Sequence, residues 1–180
     1  MKTSHVFPAL ALLFGLALSA AALAAEKQQA QPNLKIGVYD SRVVALAYYR
    51  STGQMARLSR IHEEYNKAKA DNNKKRIQEL EKEGPWNQVR MHQQVFSTAG
   101  IAHITAQIAD EIKTIARESG VIAVVSRWEM PYLGADVATV DLTLAMAKLF
   151  DPDEKTMKIM ESMKNQAPVP FDKLSLDPTL

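Results

Sequence analysis

The chain has 180 residues, 23% of them charged and 47% hydrophobic, with 22 Lys plus Arg against 20 Asp plus Glu and no cysteine. These counts exclude a disulfide-stapled scaffold, a thiolate metal site and a cysteine nucleophile. A formal charge of +2 is too small to point to nucleic acid.

Residues 1–25 differ in character from the rest. Lys2 gives a positive start, Val6 to Leu18 is a nearly unbroken apolar run, and Ser19 to Ala25 is rich in small residues before the polar Glu26-Lys27. That order is the layout of a secretory signal peptide, with cleavage expected after Ala24. The apolar run falls short of the roughly 20 residues a membrane span needs. No cysteine follows it to carry a lipid anchor. The expected product is an exported, soluble periplasmic chain with no cross-links, stabilised by packing or assembly. Losing Lys2 leaves 21 basic against 20 acidic residues, so the mature chain has almost no net charge.

Residues 25–33 read as a flexible lead-in. Leu34 to Tyr39 predicts a short strand. Asp40 or Ser41 then caps a helix over Arg42 to Arg50, which Ser51-Thr52-Gly53 bends or interrupts. Gln54 to Glu83 holds no Gly and no Pro. Leu58, Ile61, Tyr65 and Ala68 form one stripe there, which breaks at Asn72 and Lys75 and resumes at Ile77 and Leu80. A helix with a polar middle must be largely exposed. Gly84-Pro85 is expected to end it, and a second helix is expected from Trp86 to Glu118, with Val89, Phe96, Ile101, Ile104, Ile108, Ile112 and Ile115 as its seam. Two such helices would form an antiparallel hairpin over about 54–118, a rod of roughly 45–50 Å, with Trp86 at its tip and its denser apolar seams near the strands.

Ser119-Gly120 closes that helix. Val121 to Val125 predicts a strand buried on both faces, and Tyr132 to Ala138 a partner strand. Asp141 is expected to cap a helix over Leu142 to Phe150. Asp151-Pro152-Asp153-Glu154 starts another, with Asp151 as the cap and Pro152 first. Its stripe of Met157, Met160 and Met163 is expected to dock on the body. Pro168 and Pro170 precede a loose tail, so residues 151–180 form a C-terminal extension.

The order strand, long helical hairpin, strand, strand, helix, opened by LKIGVYDSRVV and closed by ESGVIAVVSRWEMPYLGADVATVDLTLAMAKLF with its Asp141-Leu142-Thr143, resembles the OmpH/Skp family of periplasmic chaperones over residues 34–150. The resemblance implies an α+β fold in which a small β-body carries a projecting coiled-coil arm. It further implies a homotrimer assembled through its strands, here Ile36, Val38, Ile122 and Val124. It implies ATP-independent holding of unfolded outer-membrane proteins between the arms. The residues themselves lead us to expect no cofactor, metal, nucleic acid or enzymatic activity, since no nucleotide loop or catalytic motif is present and the signal peptide would carry the chain away from nucleic acid. The chain departs from the family in an arm that is shorter and less basic: Gln54 to Glu83 carries eight Lys or Arg against six acids. The extension from Asp151 also lies beyond the family's usual end.

The client-binding residues expected on the arm are Tyr65, Lys67, Lys74, Arg76, Trp86, Val89, Arg90 and Phe96. The cluster Lys67, Lys69, Lys74, Lys75 and Arg76 suits acidic clients or a membrane surface, though Glu63, Glu64, Asp71 and Glu79 make a solvated helix face the simpler account. His62, opposite residues 106–108 in the expected hairpin, would lie near His103. Without a motif such as HExxH, a metal site there is not expected. Asp40, Asp136 and Asp141 are explained by capping and turns rather than by acid–base chemistry. Ser41, Ser126 and Thr143 stand in no nucleophile motif. An alternative function is that of a cell-envelope structural or adaptor protein binding one partner through its helical hairpin.

Overall fold

The strands are few and short, and all are parallel. The structure, a computed structural model, describes residues 34–164, 166–170 and 173. The expected signal peptide, the lead-in and most of the tail lie outside the described residues. The described residues from Lys35 onward belong to one compact unit. Its elements are β1 (Lys35–Tyr39), α1 (Ser41–Tyr49), α2 (Thr52–Ala70), α3 (Lys74–Val95), α4 (Ala102–Thr105), a 3-10 turn (Ala106–Ile108), α5 (Ala109–Glu118), β2 (Val124–Ser126), β3 (Ala138–Asp141), α6 (Thr143–Lys148) and α7 (Glu154–Met163). The class is α+β, a small three-stranded sheet among many helices.

The central strand is β1, with β2 and β3 parallel to it on either side. The expected strands shift accordingly. Of Val121 to Val125 only Val124 and Val125 enter the ladder, and Ile122 is 68% exposed rather than buried on both faces. Tyr132 lies outside any strand, because the third strand starts at Ala138 and pairs with β1. Gly37, mid-strand in β1, is required by close packing. A Cβ there would lie 2.5 Å from Leu142 Cδ1 and 3.3 Å from Val121 Cγ2, so any larger residue would have to displace the buried Leu142 side chain.

Helix starts follow the sequence closely. Asp40 caps α1 by accepting from the Arg42 amide, and Ser51 caps α2 by accepting from that of Gln54. Asp141 accepts from the Thr143 amide at the start of α6. The cap of α7 is Asp153, which accepts from the Thr156 amide at 2.7 Å, not Asp151 as expected.

Helix ends depart from it. The turn after α2 lies at Asp71-Asn72-Asn73, well before Gly84-Pro85. Asn72 takes the left-handed conformation (φ 51°), the Asn72 and Asn73 amides return to the Lys69 and Ala68 carbonyls, and the Asn73 side chain caps α3 through the Arg76 amide. Asn tolerates that conformation, and it also makes a good N-cap. Pro85 lies inside α3. There it removes a bond to the Glu81 carbonyl, which water can serve because Glu81 is exposed. A second left-handed residue, Ser97 (φ 63°), ends α3, so the single helix expected over Trp86 to Glu118 is broken. Its Ser97 and Thr98 amides bond the Gln94 and Gln93 carbonyls.

The isoleucine seam beyond the break packs into the body, with Ile101, Ile104 and Ile108 buried. Ile101 and Ile104 join Val44, Ala45, Leu142 and Met146 in one core cluster. A second cluster, Val43, Ala47, Ala147 and Met160, docks α7 on α1 and α6. Met160 is fully buried, and Met157 and Met163 pack beside it, as the methionine stripe predicted.

Gly84 sits within α3, and a Cβ added there meets nothing within 4 Å. Gly84→Ala is therefore expected to raise stability by roughly 0.5–1 kcal/mol, since Ala loses less backbone entropy in a helix. Urea denaturation of both chains checks this, and an unchanged or lower midpoint would contradict it.

Candidate functional site

Helices α2 and α3 carry most of the expected client-binding residues. Of their side chains, Ala68, Leu80 and Gln94 are buried. The dense seam expected near the strands holds for Ile101, Ile104 and Ile108 but not for α2, where Met55 and Leu58 are 53% and 51% exposed while Ala68 and Leu80, close to the turn, are covered. The pair is joined by Tyr65 donating to Glu81 at 3.0 Å and by Arg76 reaching Glu64 at 2.8 Å.

The expected residues fall into two groups. Lys67, Lys74, Trp86 and Phe96 are exposed, Trp86 at 65% and Phe96 at 41%. Trp86 lies in mid-helix, however, and not at a tip, because the turn is elsewhere. Tyr65, Arg76, Val89 and Arg90 are half-buried and partly engaged within the chain. Lys69 Nζ lies 4.9 Å over the Tyr65 ring. Arg76 also bonds Glu79 at 2.9 Å, so two carboxylates hold its charge, raise its pKa further and lower that of Glu64. Arg90 donates to Asn87, while its Nε is buried without a partner.

The residues expected at a subunit interface are unequal. Val38 is 8% exposed and belongs to the interior of the single chain. Ile36 and Val124 are half-buried, and Ile122 is open.

The histidine pairing fails with the turn that predicted it. Tyr65 of α2 meets Glu81 of α3 and Glu64 meets Arg76, so the stretch of α2 around His62 pairs with α3 and not with residues 106–108. His92 lies against Phe96. His103 approaches the Gln94 amide at 3.4 Å, and its pKa is lowered by burial and then by Arg90. Among the described residues no three His, Asp or Glu side chains gather as a metal site.

Two polar centres escape a reading of the sequence. Asp40 is fully buried at the end of β1. It accepts from the Arg42 amide at 3.0 Å, from Arg42 Nε at 3.0 Å and from a terminal guanidinium nitrogen at 2.7 Å. Trp128 Nε1 donates to it at 2.8 Å, and the Arg42 guanidinium lies 4.8 Å from the Trp128 ring centre. Arg42 continues to the Gln166 carbonyl at 2.7 Å beyond α7. Gln94, 2% exposed, accepts from Tyr49 at 2.6 Å and donates to the Gly100 carbonyl at 2.8 Å, joining α1, α3 and the break after it. No motif announces either centre. The only signal is a strand end followed by Asp-Ser-Arg. Both centres fasten elements together, and neither leaves a free acid or base in a cleft.

Asp141 bears on acid stability. Burial raises its pKa, but the Thr143 hydroxyl and amide and the Arg127 guanidinium more than offset that, and the net shift is downward. Asp153 is also lowered, chiefly by Thr156. A depressed carboxylate contributes stability that is complete above its unfolded pKa and is lost as pH falls through the folded one. Melting temperature is expected to be flat above about pH 5 and to fall below about pH 4, with a shallower fall in Asp141→Asn. Equal slopes in the two chains would remove Asp141 from this account.

No family model, curated protein or solved structure matches the chain.

Proposed function

We propose that the chain is an ATP-independent periplasmic holdase that keeps unfolded outer-membrane proteins apart between helical arms. The observation that carries this reading is the surface of α2 and α3. It presents Met55, Leu58, Trp86 and Phe96, each more than 40% exposed, on helices that also carry Arg57, Arg60, Lys67, Lys74 and Lys75. Large apolar side chains left in water on a charged helix suit weak, distributed contacts with an unfolded chain.

The proposed arm is α2 with α3. The Glu64–Arg76 and Tyr65–Glu81 links near the turn, and the Tyr49–Gln94 bond where α3 returns to α1, are the contacts a chain doubling back would make. Assembly into a trimer is part of the proposal. A parallel sheet with three and four residues in its outer strands has little to cover both faces and both edges alone. The likeness to OmpH/Skp proteins rests on element order and the residues quoted for it.

The test is suppression of aggregation when a urea-denatured outer-membrane barrel is diluted into buffer, compared with an equal mass of inert protein. Suppression at near-stoichiometric ratios supports the holdase, and none at excess sinks it. An envelope adaptor would instead form one saturable complex and ignore unfolded chains.

A further inference from the structure

We propose that Gln94 and His103 form a proton-sensitive latch at the break between α3 and α4, closed while the His103 ring is neutral and released when the ring takes a second proton. The latch sits where α3 returns to α1, so its release loosens that joint in mild acid. This inference does not depend on the holding of unfolded chains.

Gln94 supplies the fixed half. It is 2% exposed, and both ends of its amide are bonded. Oε1 accepts from Tyr49 of α1 at 2.6 Å, and Nε2 donates to the Gly100 carbonyl at 2.8 Å. The second Nε2 hydrogen is left for His103 Nδ1, 3.4 Å away. A carbonyl only accepts, so Gly100 decides which way the amide points. Nδ1 must then be the acceptor of the imidazole, with the ring proton on Nε2. A second proton, on Nδ1, sets two donors against each other. Turning the amide over would instead set Gln94 Oε1 against the Gly100 carbonyl oxygen. No orientation serves both neighbours once His103 is charged, and a buried amide left unpaired is costly.

His103 is itself exposed, so a proton reaches it directly. Partial burial first and Arg90 of α3 second lower its pKa, so the ring is neutral and the latch closed at neutral pH. From α1, the Tyr48 ring meets His103 edge-on with centroids 6.1 Å apart, and Tyr49 is joined to it through Gln94. Burial first raises the Tyr49 pKa, against Arg90 and the Arg57 charge of α2, so that phenol stays neutral in mild acid. His92 of α3 lies against Phe96. After β2, Glu129 brings a carboxylate oxygen 4.0 Å from the place a Gly100 Cβ would take. Because the folded pKa of His103 is lowered, closure contributes in full above the unfolded value of about 6.5 and is lost as pH falls through the folded one. Neither Gln94 nor His103 belongs to the two core clusters, so the loss is local and is read by amide exchange rather than by melting temperature.

The test follows the full mature chain by NMR from about pH 8 to about pH 5. Nitrogen shifts of the His103 ring are expected to place its proton on Nε2 at the upper end. The amides of Ser97, Thr98 and Ala99 bond the Gln94 and Gln93 carbonyls at the joint. Their exchange, corrected for the intrinsic effect of pH, is expected to rise about three- to tenfold as His103 titrates. His103→Gln does not titrate and should show no such rise, with His62 and His92 still present as the control for other histidines. Gln94→Ala should raise the His103 midpoint and leave exchange fast at every pH. The proposal is overturned by a ring proton on Nδ1 at about pH 8, by the same rise in His103→Gln as in the parent, or by an unmoved His103 midpoint in Gln94→Ala. His103 is exposed, so its variant keeps the fold, and unchanged signals elsewhere in the spectrum verify that.

Discussion

Asp40→Ala is expected to cost about 3–5 kcal/mol of folding stability, the range for removing one partner of a buried ion pair. Asp40 is wholly buried, and Arg42 is 5% exposed. The substitution leaves the Arg42 guanidinium enclosed with no anion and strips Trp128 Nε1 of its acceptor. The damage should spread to the C-terminal extension, because Arg42 also holds the Met163 carbonyl at the last residue of α7 and the Gln166 carbonyl beyond it. Amide exchange in α7 should therefore rise more than in α5, which has no bond to the cluster. Urea denaturation measures the total, and a loss under about 1 kcal/mol would show that the pair is dispensable. A paired replacement, Asp40→Leu with Arg42→Met, separates two accounts of that loss. If the cost comes from an orphaned charge, the double variant recovers most of the stability, since neither ion is then left buried alone. If the geometry of the bonds to Gln166 and Trp128 matters more, it recovers little.

That cluster also shows where sequence reading stops. The cap role of Asp40 was legible, because a short polar residue between an apolar strand and an apolar helix has a local job. Its second job was not, since Trp128 lies 88 residues away and nothing local ties the two together. The same division runs through the helices. Starts were readable at Asp40 and Asp141, where a side chain accepts from an amide within its own turn. Stops were misread because Gly84-Pro85 looked like stronger punctuation than Asn72-Asn73. A single proline costs an exposed helix one hydrogen bond, whereas the asparagines both leave one helix and open the next. Shifting that turn moved Trp86 from a tip to mid-helix and cancelled the histidine pairing. The exposure of α2 and α3 was legible from the interrupted stripe.

Trp86 carries the second large expectation. Trp86→Ala should leave stability within about 0.5 kcal/mol of the parent, because the ring is 65% exposed and has little native packing to lose. If the ring is an anchor for unfolded chains, covering it in the complex contributes roughly 1–2 kcal/mol, and its loss should weaken client holding about 5- to 30-fold. Adding Met55→Ser and Leu58→Ser should deepen the loss, since these side chains are also more than half exposed on α2. The measurement is the chaperone-to-client ratio needed to halve aggregation of a denatured barrel, with circular dichroism to show that the helices persist. An unchanged ratio for the triple variant would remove the apolar surface of α2 and α3 from the mechanism and leave only the lysines and arginines to hold a client. Those alternatives part cleanly in salt. Holding through cations should collapse between low and high ionic strength, as exposed charges are screened over about 10 Å at 0.1 M. Holding through Trp86, Met55 and Leu58 should persist or strengthen, because apolar burial gains from a salting-out ion such as sulfate.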